Sequence, residues 1–451
     1  MRNLTGALIV AALTACGGGG SGQTVPQIGT AACENDGQKQ FVLDNLYAWY
    51  LWNDLLPTGI DIADYATPEE LVSVVTREFG PQDADGNPVD LFSSVGSAQA
   101  DSEFLGEGKL GEIFGFSYRL VDQAATDFRI VRVFSGSPAA TGNPPLARGQ
   151  RILTLNGRSV AEITGSEGIS TFFSNNDTVE FEIERVGAND FTTITKAAVT
   201  IDPIPQWRLI DRGEGVAPVG YMQFDTFVST ADAIFNTVFA DFKAAGVNDL
   251  IIDLRYNGGG RLSTTNLLGD YLGGSVAQNL VFSRTEYNAD RAAANNSTEF
   301  FDLLGNSISL SRLIIVATRS TASASELVTN GMIPHVDVAI VGDRTLGKPV
   351  GQIGLEFCDK ILRPTSFRFA NADGVGDFFE GLPVDCAAPD DLSTGIGADD
   401  DPNVVAALSY LNTGACPVAA VSAEKLKSEG ELRVEELDRR GPPEREFLDA
   451  Y

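Results

Sequence analysis

Three short segments hold residue types that can attack and stabilise an acyl group. The first is Ser320-Thr321-Ala322-Ser323-Ala324-Ser325-Glu326-Leu327, directly after the apolar run 313–317. Small residues at a strand-to-helix turn let a serine present its Oγ in a cleft, while the next backbone N–H points into the same space. A serine- and alanine-rich helix start is also common without catalysis. The second is Gly342-Asp343-Arg344-Thr345-Leu346-Gly347-Lys348-Pro349-Val350-Gly351-Gln352, following the apolar run 338–341. Lys348 is one of only eight lysines in the chain. A lysine withdrawn from water at such a place can take a proton from a serine, whereas on a surface turn it does nothing. The third is Asp253-Leu254-Arg255-Tyr256-Asn257-Gly258-Gly259-Gly260, at the end of the apolar run 250–254. A glycine run after a parallel strand brings backbone N–H groups close to a ligand. Neither a Gly-x-Gly-x-x-Gly nor a Walker pattern follows, so nucleotide binding is weakly supported, and an oxyanion hole is the other use of such a turn.

Composition narrows the chemistry. The chain has 451 residues, with 32 Lys and Arg against 61 Asp and Glu and a net charge of −29. A surface this acidic repels polyanions, so no nucleic acid is expected as a partner. There is a single histidine, His335. A His-rich metal site is therefore excluded, and a Ser-His-Asp triad has only that residue to build on. His335 stands just after Gly331-Met332-Ile333-Pro334, at the end of the helix expected to start near Ser323, and reads as structural. A serine nucleophile then needs another base, and Lys348 is the obvious one. No metal or organic cofactor is expected.

At roughly 150 residues per domain, this length suggests about three structural units to position these segments. Met1-Arg2 and the apolar run 8–13 read as an export signal, too short to span a bilayer as a mature helix. Residues 17–32 are rich in Gly, Ser, Thr and Pro and read as a linker. Helical spacing over 40–56 ends at Pro57, and a second helix starts at Thr67-Pro68 and runs to about Phe79. The two predict a helical cap over 33–105. Asp83-Ala84-Asp85-Gly86-Asn87 hints at a calcium loop, but Pro88 and Ser94 stand where an EF-hand needs Gly and Glu, so a solvated turn is expected. Alternating runs at 128–133 and 179–185 predict half-buried strands within a β-rich unit over 106–204. From residue 205 to about 420, strands and helices alternate, which predicts an α/β unit with a largely parallel sheet. The charged tail 421–451 is expected to be frayed or disordered. With Cys16 set aside, Cys33, Cys358, Cys386 and Cys416 form an even set suggesting two disulfides, with Cys358–Cys386 and Cys33–Cys416 the favoured pairing.

Several of these segments resemble known families. Leu13-Thr14-Ala15-Cys16 resembles a bacterial lipobox, which implies a signal peptide over 1–15 and a lipid on Cys16. Gly17 carries no Asp-type retention signal, so a cell-envelope position at the outer membrane, facing the periplasm, is expected in a two-membrane host. Gly136-Ser137-Pro138-Ala139 and Arg148-Gly149-Gln150-Arg151-Ile152-Leu153-Thr154-Leu155-Asn156-Gly157 resemble a PDZ domain, with Gln150 where Asp is usual. That resemblance makes Ile113-Phe114-Gly115-Phe116 a loop that binds a peptide C-terminus. Residues 205–412 resemble the carboxyl-terminal processing proteases, serine peptidases of family S41, which carry a Ser-Ala-Ser-Glu segment, a Lys 25 residues later and a Gln four beyond. Ser323, Lys348 and Gln352 fall in that register, with Pro349 where the family often has Gly. The resemblance implies an α/β multidomain chain: helical N-terminal cap, PDZ-like domain, and a crotonase/ClpP-like α/β spiral protease domain. It implies a Ser323–Lys348 dyad oriented by Gln352, with oxyanion donors at Gly258 and Ala324. Its substrates would be exported proteins or peptides with a free C-terminus, and an oligomer fits the same reading. The rival expectation is a catalytically silent PDZ-containing lipoprotein that binds peptide C-termini.

Overall fold

The computed structural model describes residues 33–122 and 126–417. The lipobox with Cys16, the linker up to residue 32 and the tail 421–451 lie outside the described residues.

The α/β part is built on a six-stranded sheet in the order Gln206–Ile210, Val219–Gln223, Asp249–Asp253, Arg312–Ala317, Asp337–Gly342, Cys386–Ala387. The first strand runs antiparallel to the second, and the remaining neighbours are parallel. Successive strand residues face opposite sides. Leu250, Ile252, Leu313 and Ile315 pack with the helices Thr230–Ala244, Leu262–Ala277 and Ala324–Met332 on one face. Ile251, Ile314, Val316 and Val341 pack with Val404, Ala407 and Leu411 of the helix Pro402–Thr413 on the other. Burial on both faces explains why these strands read as continuous apolar runs. The strand ends next to Gly258, Ser323 and Lys348 share one edge of this sheet, where βα turns emerge.

A four-stranded antiparallel sheet, Ser297–Phe300, Val281–Tyr287, Thr365–Ala370 and Val350–Gln352, carries Gln352 at its edge. The N-terminal region docks beside it, on a separate three-stranded sheet of Ser94–Ser97, Lys360–Arg363 and Leu355–Phe357. The helices Asn35–Trp49 and Pro68–Phe79 share a core with Phe357 and Leu362, and the strand Ser94–Ser97 pairs with Lys360–Arg363. Thr67 caps the second helix by accepting from the Glu70 N–H, and Pro68 stands at its first turn, as its sequence predicts.

The β-rich part follows the path Phe116–Leu120, Phe128–Val133, Arg151–Leu155, Thr178–Ile183, Asp190–Thr195, with Arg158–Ser159 beside the third strand. Phe114, Phe116, Phe173 and Phe181 fill its core.

The disulfides correct the expected pairing: Cys33 bonds Cys358, and Cys386 bonds Cys416. Cys358 lies in the turn between Leu355–Phe357 and Lys360–Arg363, the hairpin on which the N-terminal helices rest, which puts it beside Cys33. Cys386 is on the last strand of the six-stranded sheet, and the helix Pro402–Thr413 packs back over that sheet to deliver Cys416. Closeness along the chain favoured Cys358 with Cys386, but they sit in different sheets.

Candidate active site

Ser323 stands just before the helix Ala324–Met332 in a backbone conformation, φ 56° and ψ −115°, that a non-glycine residue rarely adopts. Its turn is fixed from below. Thr321 Oγ1 donates to Leu254 O at 2.7 Å, Ala322 N–H to Asn257 O at 3.1 Å, and Ser325 Oγ to Asn257 O at 3.0 Å. The serine turn and the glycine loop are therefore one bonded unit. Ala324 N–H belongs to the first residue of the helix and has no intrahelical acceptor.

The glycine loop is held in turn by a buried ionic frame. Arg255 donates to Asp253 and Asp401, both charges almost fully buried, and Tyr221 donates its hydroxyl to Asp253 at 2.9 Å. Asn257 donates its side-chain amide to Phe224 O and accepts from Gly259 N–H, which bends the chain at Gly258. Gly259 has φ +111°, and a Cβ there would lie 2.8 Å from Ser323 Cβ and 2.9 Å from Ala324 N. The backbone of this loop thus approaches Ser323 as closely as only a glycine permits.

Lys348 reaches the same place through Glu326. This fully buried carboxylate accepts from Ser323 N–H at 2.9 Å, Thr345 Oγ1 at 2.5 Å, Gly347 N–H at 2.7 Å and Lys348 N–H at 2.8 Å. Burial holds its carboxyl above the ordinary value, and the four donors offset only part of that rise. Leu346 N–H adds a bond to Thr321 O at 2.9 Å. The Lys348 side chain is buried to 5% exposure, close to the 8% of Ser323. Its Nζ donates to Gln352 Oε1 at 3.1 Å and lies 5.1 Å from the centre of the Phe92 ring.

The structure therefore brings together Ser323, Lys348, Gln352, the glycine loop and the Ala324 N–H. It keeps His335 elsewhere, in the turn after that helix, with Nε2 2.9 Å from Val281 O and the ring edge-on to Phe301. The loop Ile113 to Phe116 belongs to the separate β-rich part. There Phe114 and Phe116 are buried, Gly115 has φ +89°, and Ser137 Oγ donates to Gly115 O at 3.0 Å. Sequence reasoning quoted Glu326 only as part of a motif and missed Phe92 altogether. The periodicity of 90–93 carries no sign that it packs beside residues 260 positions later.

The segments that build this geometry are also the ones that match known families. A family model described as "Peptidase family S41" matches residues 218–386, and "Peptidase S41 N-terminal domain" matches residues 37–78. The chain carries peptidase family S41 domains. The S41 match contains the glycine loop, Ser323, Glu326, Lys348 and Gln352, while Asp401 and Phe92 lie outside it, and the N-terminal match covers most of the two N-terminal helices. Among curated relatives, the chloroplastic C-terminal processing peptidase of Tetradesmus obliquus is 26% identical over 274 residues, covering 56% of this chain and 55% of that protein. The carboxy-terminal processing protease CtpA of Bacillus subtilis is 24% identical over 256 residues, covering 56% of this chain and 52% of its own length. The chain spans about half the length of the curated relatives it matches. In structure it is similar to a putative S41 protease from Bacteroides fragilis, with a TM-score of 0.66 at 23% identity over 83% of this chain and 97% of that one. The photosystem II D1 C-terminal processing protease aligns with a TM-score of 0.50 at 19% identity, covering 82% of this chain and 99% of its own. These likenesses show the fold of S41 proteases around the site.

Proposed function

We propose that the chain is a serine endopeptidase of the C-terminal processing type, working through Ser323 and Lys348. In the acylation step neutral Lys348 takes the Ser323 proton as Oγ bonds to the scissile carbonyl carbon. The N–H groups of Gly258 and Ala324 hold the oxyanion, and losing one such donor typically costs about 10²–10³ in rate. Collapse breaks the C–N bond, the Lys348 proton passes to the leaving amine, and water releases the acyl group. Gln352 orients Lys348 throughout. The observation that carries the reading is Glu326, whose single carboxylate takes the backbone N–H groups of both Ser323 and Lys348.

The β-rich part is read as the PDZ-like recruiter of substrate C-termini. In support, Phe116–Leu120 ends its sheet and has an edge to which a peptide strand can add. A lipid on Cys16, placing the enzyme in the cell envelope at the outer membrane facing the periplasm, belongs to the same proposal.

The test compares the chain from residue 17 onward with its Ser323→Ala and Lys348→Ala variants on an unfolded protein with an apolar C-terminus. Products are read by mass spectrometry between pH 6 and 10. Cleavage by the parent, rising with pH and abolished in both variants, is expected. Cleavage that survives both substitutions overturns the dyad and leaves the peptide-binding lipoprotein as the better reading.

A further inference from the structure

The Lys348–Gln352 pair is completed by a segment from the N-terminal region. Gln352 donates both amide hydrogens to carbonyls, to Arg363 O at 2.9 Å and to Phe92 O at 2.8 Å. With both donors committed, only its oxygen remains for Lys348 Nζ. A flipped amide would set its NH2 group against the lysine and its oxygen against two carbonyls. The Phe92 carbonyl, together with that of Arg363, therefore decides which way Gln352 points, and the Phe92 ring lies 5.1 Å from Lys348 Nζ.

Phe92 belongs to a turn built on one carboxylate. Asp90 is 1% exposed. Its Oδ1 accepts from Phe92 N–H at 2.9 Å, Ser93 N–H at 3.1 Å and Thr365 Oγ1 at 2.9 Å, and its Oδ2 accepts from Ser93 Oγ at 2.5 Å. Ser93 Oγ accepts in turn from Thr365 N–H at 2.9 Å. Thr365 is the strand residue paired with Gln352. Asp90 thus pins the turn to the residue opposite the one that the turn orients.

We propose that Asp90 is a positioning residue for this site: it fixes the turn 90–93 so that the Phe92 carbonyl holds the Gln352 amide with its oxygen on Lys348 Nζ. Asp90 touches no substrate and acts through Gln352. The kinetic consequence rests on the peptidase reading above, while the geometric consequence does not.

The experiment is a double-mutant cycle in the otherwise intact chain. Asp90→Ala and Gln352→Ala are made singly and together, with melting temperature recorded for each. Misplacement of this kind lowers kcat by about 10–100-fold. That loss is expected for Asp90→Ala with KM little changed, and no further loss when Gln352 is already Ala. Asp90→Asn, which keeps an acceptor for the Phe92 and Ser93 N–H groups, is expected to restore most of the rate. If Asp90→Ala does not fold, Ser93→Ala removes only one hydroxyl from the same clamp and is expected to give a smaller loss with the same non-additivity. An equal loss in both backgrounds overturns the proposal, as does an unchanged kcat. A parent chain that cleaves nothing counts against the peptidase reading. The positioning is then read without turnover, from a crystal structure of Asp90→Ala, where Gln352 Oε1 is expected to leave Lys348 Nζ. A Gln352 amide that stays in place overturns the inference.

Discussion

Glu326 joins two turns whose side chains the proposed acyl chemistry requires to meet. Ser323, Lys348 and Gln352 were legible in the sequence because their types and intervals form a recognisable register. The role of Glu326 was not, because Gly347 and Lys348 lie 21 and 22 residues downstream and no local pattern announces the contact. The carboxylate offers acceptors only, matched to four donors. Replacing it with Gln turns an NH2 group toward two of them. Each buried donor so stranded costs about 1–3 kcal/mol. Glu326→Gln is therefore expected to lower the denaturant midpoint and, more tellingly, to slow the reaction of Ser323 with a fluorophosphonate probe. A variant that reacts at the parental rate would show that the shared carboxylate does not hold the two turns in reacting geometry.

Strands and helices supply the scaffold that those residues need; the buried central strands were readable from periodicity, but the four-stranded sheet that carries Gln352 was not. The buried runs 250–254 and 313–317 appear as neighbouring parallel strands because both faces of the sheet are covered. The disulfide pairing was not readable: it depends on which hairpin the N-terminal helices rest upon, a contact between segments about 300 residues apart. The glycine run is intermediate. Its presence suggested close backbone approach, but only the fold shows that Gly259 is the residue against Ser323. Gly259→Ala adds a Cβ where 2.8 Å separates it from Ser323 Cβ, in a φ that alanine tolerates poorly. The loop must then move away from the serine turn, carrying Gly258 with it. On the proposed mechanism, loss of one oxyanion donor sets the scale, about 10²–10³ in kcat. The expected result is that loss with the far-ultraviolet circular dichroism spectrum unchanged. An active Gly259→Ala enzyme would place the oxyanion donors elsewhere.

On the scale of the whole molecule, the β-rich part is fastened to the α/β part by a buried charge cluster centred on Asp390. Arg119 and Arg148 reach it from the β-rich part at 2.5 and 2.7 Å, Arg255 from beneath the glycine loop at 3.4 Å, and the Tyr256 hydroxyl donates to it as well. Burial alone would raise the Asp390 carboxyl, but the guanidinium groups of Arg148, Arg119 and Arg255, together with the Tyr256 hydrogen bond, hold it well below the usual carboxylate range. A depressed carboxyl stabilises the folded chain at every pH above its unfolded value, near about 3.9. That contribution is lost as pH falls from there through the folded value. Removing one partner of a buried ion pair typically costs about 3–5 kcal/mol, because the charges left behind stay desolvated. Asp390→Ala is expected to lower the melting temperature markedly between pH 5 and 8. The gap to the parent should narrow only below about pH 4, where the parent's Asp390 protonates in the unfolded chain before it does in the folded one. Small-angle scattering at pH 7 should show a larger radius of gyration for the variant, since it strands Arg119 and Arg148 at the junction. If the melting gap stays constant down to pH 2, the junction is held by packing rather than by this charge. Asp390 is nearly silent in the sequence, one acidic residue among 61 Asp and Glu, because its meaning lies in which arginines the fold brings to it.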